Sequence, residues 1–517
     1  MPVLDPLIKG LLRPQAYPHP VERVDHIETH ISHVLLAGDY AYKVKKPINL
    51  GFLDFSTLER RKCFCEEEIR LNGRLAPEIY LAAVPIVGTT AMPRMGGEEG
   101  TILEYAVKMR RFDQDALLTR RRLSPGLADR LAERVAAFHA NIPPAADDSV
   151  FGTPDAVLGP MVENFEQIRR RLSAPEELAR LRHLEDWTRA QHAALRPVLE
   201  ARRLDGHVCE CHGDMHRGNI ALVNERLVIF DGIEFNPNLR WIDTMSEVAF
   251  LIMDLEEADE AVPARRLLNR YLECSGDYEG LPVLGFYKVY RAMVRAKVTA
   301  IRLGQPGVES AEAGQDRADY ERYLALAEGY TQRRPRRLYL THGVSGSGKS
   351  RLSTILRERL PLIHIRSDVE RKRLFGLPSG ARTGSAVDTG LYSAVATART
   401  YTRLLELAGL ILDAGYSPLV DATFLERAQR RPFLDLAADK GCTCTIFEPL
   451  APKQVLRSRV AARNAAGRDP SEADLAVLET QLDALEPLGP DERRLAIRID
   501  TVRPPTLSEF LAALPTD

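Results

Sequence analysis

The chemistry-bearing side chains concentrate in one stretch, His212-Gly213-Asp214-Met215-His216-Arg217-Gly218-Asn219. Asp214 stands five residues before Asn219, and a second carboxylate, Asp231, follows twelve residues later at the end of the apolar run Leu227-Val228-Ile229-Phe230. Phosphoryl transfer asks for such a set. One aspartate positions or deprotonates an acceptor hydroxyl, while an asparagine and a second aspartate hold the magnesium ions that draw charge off the moving phosphate.

His-Gly-Asp-Met-His-Arg-Gly-Asn followed by Ile-Phe-Asp resembles the catalytic and metal-binding loops of the aminoglycoside phosphotransferase family, relatives of the protein kinases. The resemblance implies that Asp214 is the catalytic base, that Asn219 and Asp231 are magnesium ligands, and that His212 braces the loop. It also implies a nucleotide, ATP, and a structural role for an aspartate after the loop, here Asp243.

A second set lies near residue 345. The strand Leu338-Tyr339-Leu340-Thr341 runs into Gly343-Val344-Ser345-Gly346-Ser347-Gly348-Lys349-Ser350, and a helix follows. This is a P-loop in its required context. The glycines, Gly343, Gly346 and Gly348, let backbone amides wrap phosphates, Lys349 reaches the β- and γ-phosphates, and the Ser350 hydroxyl takes a magnesium position. A strand over 362–365 leads to Arg366-Ser367-Asp368, where Asp368 can accept a hydroxyl proton. Another leads to Asp421, a magnesium-side acid. Arg457, Arg459, Arg463 and Arg468 before Asp469 are similar to the arginine-bearing lid of small kinases. The segment resembles the gluconate kinase, polynucleotide kinase and zeta-toxin group of P-loop kinases more than a motor-type AAA family ATPase.

Strands must position the first set. Residues 21–27, 33–37 and 40–45 read as short strands separated by polar turns, with Gly38-Asp39 as the hairpin link between the last two, and Tyr40 to Lys45 alternates. Lys43 and Lys45 share a face. Ala41-Tyr42-Lys43 is similar to the kinase strand carrying the phosphate-binding lysine, so Lys43 takes that role with Lys45 in reserve. A helix over about 57–75 opens with a capping signal at Ser56-Thr57-Leu58-Glu59 and carries Glu66-Glu67-Glu68. Glu68 is the expected partner of the lysine, with Glu67 next. The kinase glycine loop is missing. Its place is taken by His26-Ile27-Glu28-Thr29-His30-Ile31-Ser32-His33, in which the Thr29 and Ser32 hydroxyls would stand in for amides at the phosphates. Strands over 79–87 and 101–107 follow, and by the likeness Lys108-Met109-Arg110-Arg111 is the hinge that pairs with adenine. Helices fill 127–138 and 161–203. Two charged stretches disagree about the acceptor: the acidic Asp254–Glu260 block, read as a solvated helix start or a wall for a polycation, and Lys288, Arg291, Arg295 and Lys297 on a helix over 286–303.

A chain of 517 residues holds two or three domains, and a formal net charge of −2 supplies no global field for nucleic acid or anionic membranes. No basic, then apolar leader and no run of about 20 apolar residues is present, so a cytoplasmic protein is expected. The seven cysteines include three Cys-x-Cys pairs, 63/65, 209/211 and 442/444, read as small buried or half-buried residues because a zinc site usually needs two such half-sites with wider spacing. The fold class predicted is an α+β protein-kinase-like bilobal domain over 1–330 (small lobe about 1–108, helical lobe about 109–330), a linker over 331–337 that includes a basic run, and an α/β P-loop NTPase domain with a doubly wound parallel sheet over 338–517. The function predicted is an ATP- and Mg2+-dependent kinase with two nucleotide sites and a small hydroxylated acceptor. The alternative is an amino-terminal pseudokinase-like regulatory module coupled to a P-loop ATPase or a kinase of nucleic-acid ends, the less favoured acceptor.

Overall fold

The structure, a computed structural model, describes residues 5–49, 51, 53–97, 99–303, 310–378, 381, 393–466 and 474–503. The chain forms two compact units. One comprises Met1–Ser124, Ala137–Glu260 and Phe286–Ala327, and the other Pro125–Ala136, Ala261–Gly285 and Glu328–Asp517.

The first unit begins with helix α1 (Pro6–Leu11) and strands β1 (Val24–Glu28), β2 (Ser32–Ala37) and β3 (Tyr40–Lys45). Helix α2 (Leu58–Asn72) follows, then β4 (Tyr80–Thr89), β5 (Met92–Met95) and β6 (Ile102–Arg110). The six strands make one antiparallel sheet in the order β1-β2-β3-β6-β4-β5. Alternation sorts β3: Tyr42 and Val44 join Leu35 and Ala37 in a core under α1, while Lys43 and Lys45 point to the opposite face. Thr57 caps α2 by accepting the Arg60 amide at 3.3 Å. The expected hinge is still strand. Lys108 and Met109 pair with β3 on one side and β4 on the other, and the Arg111 amide donates to Asp39, so the chain leaves the sheet only at Phe112. β5 was not foreseen, because Met-Pro-Arg-Met carries no strand alternation.

Helices α3 (Pro125–Asn141), α4 (Pro154–Arg169) and α5 (Pro175–Leu204) lead to the loop-bearing strands β7 (Val208–Glu210), β8 (Ile220–Val223) and β9 (Arg226–Ile229). Then come α6 (Pro237–Arg240), β10 (Trp241–Asp243), α7 (Thr244–Glu257), α8 (Ala261–Ser275), α9 (Leu281–Leu303) and α10 (Ser310–Thr331). Asp243 has two duties, both structural. It caps α7 through the Met245 amide at 2.8 Å, and it takes a two-pronged ion pair from buried Arg202, each contact 2.8 Å. The acidic block lies at the carboxyl end of α7 and beyond it, where the helix dipole disfavours acids. Four of its five acids are answered by a partner: Asp254 by Arg217, Glu256 by Lys288, Glu257 by Arg322, and Glu260 by the Leu123 amide, while Asp259 is exposed. The acidic block and the basic helix therefore meet through Glu256 and Lys288.

The second unit is built on β11 (Arg337–Thr341), α11 (Lys349–Arg359), β12 (Leu362–Arg366), α12 (Ser367–Leu374), α13 (Ala394–Asp413), β13 (Ser417–Asp421), α14 (Arg427–Asp439), β14 (Thr443–Leu450), α15 (Lys453–Ala466), α16 (Leu475–Ala484), α17 (Pro490–Arg493) and β15 (Ala496–Asp500). The strands form a parallel sheet in the order β12-β13-β11-β14-β15. β12 is an edge, and α8 covers it: the Asn269 side-chain amide donates to Leu362 O at 3.0 Å, and its oxygen accepts the His364 amide at 2.6 Å. Arg266 adds ion pairs to Asp129 and Glu358, both at 2.6 Å. Within the basic run, Arg336 donates to Leu412 O at 2.8 Å and Lys440 O at 3.4 Å, at the carboxyl ends of α13 and α14.

The cysteines are all free. Cys65, Cys209, Cys211 and Cys444 are buried and Cys442 is intermediate, but Cys63 is exposed, because its pair lies on helix α2 and residues two apart diverge there.

Asp243→Ala leaves the Arg202 guanidinium buried without its counterion and removes a cap. It is expected to cost about 3–5 kcal/mol of stability, read as a lower urea midpoint, with partial recovery in Arg202→Met/Asp243→Ala. An unchanged midpoint would contradict the brace.

Candidate active site

The two lysines of β3 are bound into one chain of charges. Lys43 Nζ lies 2.9 Å from Glu68 Oε1 and 2.7 Å from Asp231 Oδ1. Lys45 Nζ lies 2.6 Å from Glu68 Oε2 and also pairs closely with Glu234. Of the three adjacent glutamates, Glu68 alone is fully buried, whereas Glu67 pairs with Arg70 and Arg240 and Glu66 is exposed. Burial works to raise the Glu68 pKa, but Lys43 and Lys45 outweigh it and hold the carboxyl low. Glu234 goes the other way: burial and the nearby Glu68 raise it more than Lys45 lowers it. Sequence reasoning passed over Glu234. The signal was there in two same-face lysines with one carboxylate between them, since a second buried ammonium demands a second acid.

The loop that carries Asp214 is held by its backbone. Gly213 sits at φ +86°, and a Cβ there would come within 2.7 Å of Leu239 O. Its amide donates to Glu247 at 2.7 Å, its carbonyl accepts from Arg291 at 3.0 Å, and His139 fixes the far oxygen of Glu247 at 2.9 Å. His212 accepts the Asp214 amide at Nδ1 (3.3 Å) and donates from Nε2 to Phe230 O (2.9 Å), which ties this loop to the one bearing Asp231. Burial lowers the His212 pKa, in keeping with the neutral form that bond pattern needs. Asn219 Nδ2 donates to both the carbonyl (2.9 Å) and the carboxylate (3.0 Å) of Asp214. Burial would raise the Asp214 pKa, but His216, 3.4 Å away, then His212 and Arg295, hold it well below the ordinary range.

Asp231 adopts φ +61°, a left-handed conformation tolerated better by aspartate than by most side chains. Its amide donates to Tyr80 Oη at 3.0 Å, and the Gly232 amide to Asn72 at 2.8 Å. The structure thus brings Lys43, Glu68 and Asp231 together and, beside His212, Asp214 with Asn219. It does not supply the hydroxyls expected from the glycine-less hairpin. Thr29 Oγ1 closes its own turn through Ser32, at 3.0 Å in both directions, and Ser32 is fully buried. Ile27, by contrast, is exposed on the face of the sheet that carries Lys43.

In the second unit the P-loop wraps the amino terminus of α11. Gly346, at φ +79°, passes so close to α15 that a Cβ would lie 2.8 Å from Leu456 O. Lys349 Nζ donates to Gly343 O at 2.7 Å and Val344 O at 2.9 Å. Burial, opposed by Asp421 and Asp368, brings its pKa down to about 8. Asp421 ends β13, is buried, and accepts from His364 at 3.2 Å. Ser350 occupies the first turn of α11. The arginine cluster divides. Arg463 lies near enough to Lys349 to lower its pKa, Arg459 donates to Gly346 O at 3.2 Å and Thr501 O at 2.8 Å as a brace behind the loop, and Arg457 pairs with exposed Glu479 at 2.7 Å. Arg468 and Asp469 lie outside the described residues.

Residues 61–284 match the model of the Phosphotransferase enzyme family, and residues 338–488 match that of the AAA domain. An uncharacterized protein of Mycobacterium tuberculosis (strain ATCC 25618 / H37Rv) is 32% identical over 494 residues, covering 92% of this chain and 95% of that protein. The chain belongs to this family of two-domain phosphotransferases. Its counterpart in Mycobacterium bovis aligns with the same 32% identity and the same coverage. Among solved structures, the chain is similar to a choline/ethanolamine kinase family protein from Mesorhizobium loti (16% identity, 62% of this chain and 98% of that one, TM-score 0.35). It is also similar to a gluconokinase from Sinorhizobium meliloti (21% identity, 35% and 90%, TM-score 0.24). The protein is an enzyme of the kinase type, with a kinase-like α+β fold followed by a parallel-sheet P-loop fold. Domains of these two kinds use a nucleotide and a divalent metal. Among the described residues no helix is long and apolar enough to cross a membrane.

A phosphate held at the P-loop would replace the carbonyls around Lys349 with anionic oxygens and raise its pKa toward the ordinary 10.5. The part of the proton uptake that depends on Lys349, wild type minus Lys349→Met, is therefore expected to be close to one proton at about pH 9, between the two values, and almost none near pH 6, where the amine is charged throughout. Calorimetry in buffers of different ionisation enthalpy measures it.

Proposed function

We propose that the first unit transfers the γ-phosphoryl group of ATP to a hydroxyl of a small molecule, and that the P-loop is a second, independent nucleotide site. The observation that carries the first half is Lys43 shared between Glu68 and Asp231, with Asp214 bonded to Asn219 on the adjoining loop. Lys43 is placed to grip phosphate oxygens, and Glu68 keeps it charged and oriented. Ile27 offers an apolar surface for the adenine.

In this reading the acceptor hydroxyl donates a hydrogen bond to Asp214. Its oxygen forms the new bond to the γ-phosphorus as the bond to the β,γ-bridging oxygen breaks, and ADP leaves. Because Asp214 is held ionised, it is a weak base. It orients the hydroxyl and takes the proton late, once bonding to phosphorus has made that proton acidic. Magnesium would be held by Asp231 and Asn219. The donor set fits, since both offer oxygen, and Asn219 gives its nitrogen to Asp214 and so presents its carbonyl. The metal would spread charge off the phosphates; the remaining work belongs to the side chains. In the P-loop site, Lys349 and Ser350 would serve the phosphates and metal, Asp421 would sit on the metal side, and Asp368 would be the acceptor's base with Arg463 over the phosphate.

The second reading keeps the first unit as a regulatory nucleotide binder. The hairpin favours it, since Thr29 and Ser32 are committed to the fold rather than to phosphates. Phosphorylation of oligonucleotide ends, falling steeply with salt, would single out a nucleic-acid acceptor instead.

A panel of hydroxylated metabolites with labelled ATP separates these readings. Asp214→Asn is expected to lower one transfer activity by about 10²–10⁴-fold and leave another intact, and Lys349→Ala the converse. If Asp214→Asn spares all transfer while the protein still binds ATP at two sites, the regulatory reading stands. If both variants leave every activity intact, the site assignments fail.

A further inference from the structure

The stretch that replaces the glycine loop carries three histidines, two of which meet across the strands. His26 and Glu28 lie two apart on β1 and therefore share a face. Glu28 pairs directly with His33 on β2, and His26 is its diagonal neighbour. His26 Nε2 and His33 Nδ1 stand 3.0 Å apart, and one ligand atom from each of His26, Glu28 and His33 falls within 4.8 Å of the others. Two nitrogens bound at about 2.0–2.1 Å around a tetrahedral zinc are roughly 3.3 Å apart, so little movement separates the observed pair from a coordinating one.

We propose that the β1–β2 hairpin is a binding site for a divalent transition metal such as zinc, with His26, Glu28 and His33 as its protein ligands. The site is not the magnesium position of the kinase reaction. Val34 pairs with Lys43 and Ser32 with Lys45, whereas His33 pairs with Val44 and Leu35 with Tyr42. The three ligands thus lie on the face opposite the lysines, at the outer end of the sheet. Imidazole nitrogens select zinc, cobalt or nickel over magnesium, which prefers oxygen. Lys46 Nζ holds Glu28 Oε1 at 2.6 Å, which leaves the second carboxylate oxygen for an ion. Three protein ligands leave a further position for water or an anion.

The test titrates metal-free full-length protein with Zn2+ by calorimetry in excess Mg2+, and with Co2+ by its visible spectrum. The variants are His26→Ala, His33→Ala and Glu28→Gln, with exposed His183→Ala as control. The expected result is one ion bound per chain, with affinity at least about tenfold weaker in each histidine variant, a loss of one decade or 1.4 kcal/mol. Glu28→Gln should weaken binding less, and His183→Ala should leave it unchanged. The Co2+ spectrum should lack thiolate charge-transfer bands, which would instead report exposed Cys63 or Cys274. Circular dichroism checks that the variants fold. Failure to bind one Zn2+ in wild type, or binding kept in both histidine variants, overturns the proposal.

Discussion

Two ammonium groups on one face of a strand, Lys45 buried and Lys43 largely so, are the constraint around which the first unit is arranged. At about 4 Å an ion pair in protein is worth roughly 4 kcal/mol at an effective dielectric near 20, against several kcal/mol to strip each ion of water. Neither Lys43 nor Lys45 is tolerable alone. Glu68 answers both, which fixes the rotation of α2 against the sheet. Asp231 and Glu234 answer one each, which draws the segment after β9 up to the same face. A helix and a loop distant in sequence are thereby registered against one strand. The nucleotide's phosphates would enter a site whose charges are already set.

The loop bearing Asp214 depends on a different device. Its shape is held largely through backbone atoms: Gly213 by Glu247 and Arg291, Asp214 by His212, and Gly232 on the next loop by Asn72. Buried side chains that grip backbone leave a loop preorganised, so little reorganisation is needed when a ligand arrives.

These two devices explain what could be read in the sequence. The pairing of Asp214 with Asn219 and the turn of the P-loop before α11 were legible because each lies within one short stretch of sequence. Lys43 and Glu68 were legible through strand and helix periodicity combined with the family pattern. Glu234, Glu247 and Arg202 were not, because their meaning lies in partners that only the folded chain supplies. The hinge was placed too early because pairing on both sides extends β6 beyond its apolar residues. The arginine cluster was read as one lid. On helix α15, however, Arg459 and Arg463 are four apart and share a side, while Arg457 is turned away by two residues of helical rotation.

Asn269 closes the exposed margin of the parallel sheet with a single side-chain amide that mimics a neighbouring strand. That residue is encoded within the stretch matching the phosphotransferase family, yet it completes the unit that holds the P-loop. The end of the stretch that matches the phosphotransferase family and the boundary between the two compact units therefore do not coincide. A descendant gene that kept only the carboxyl-terminal module would inherit an unprotected strand, prone to recruit another chain, and this gives selection a reason to keep the two modules in one reading frame.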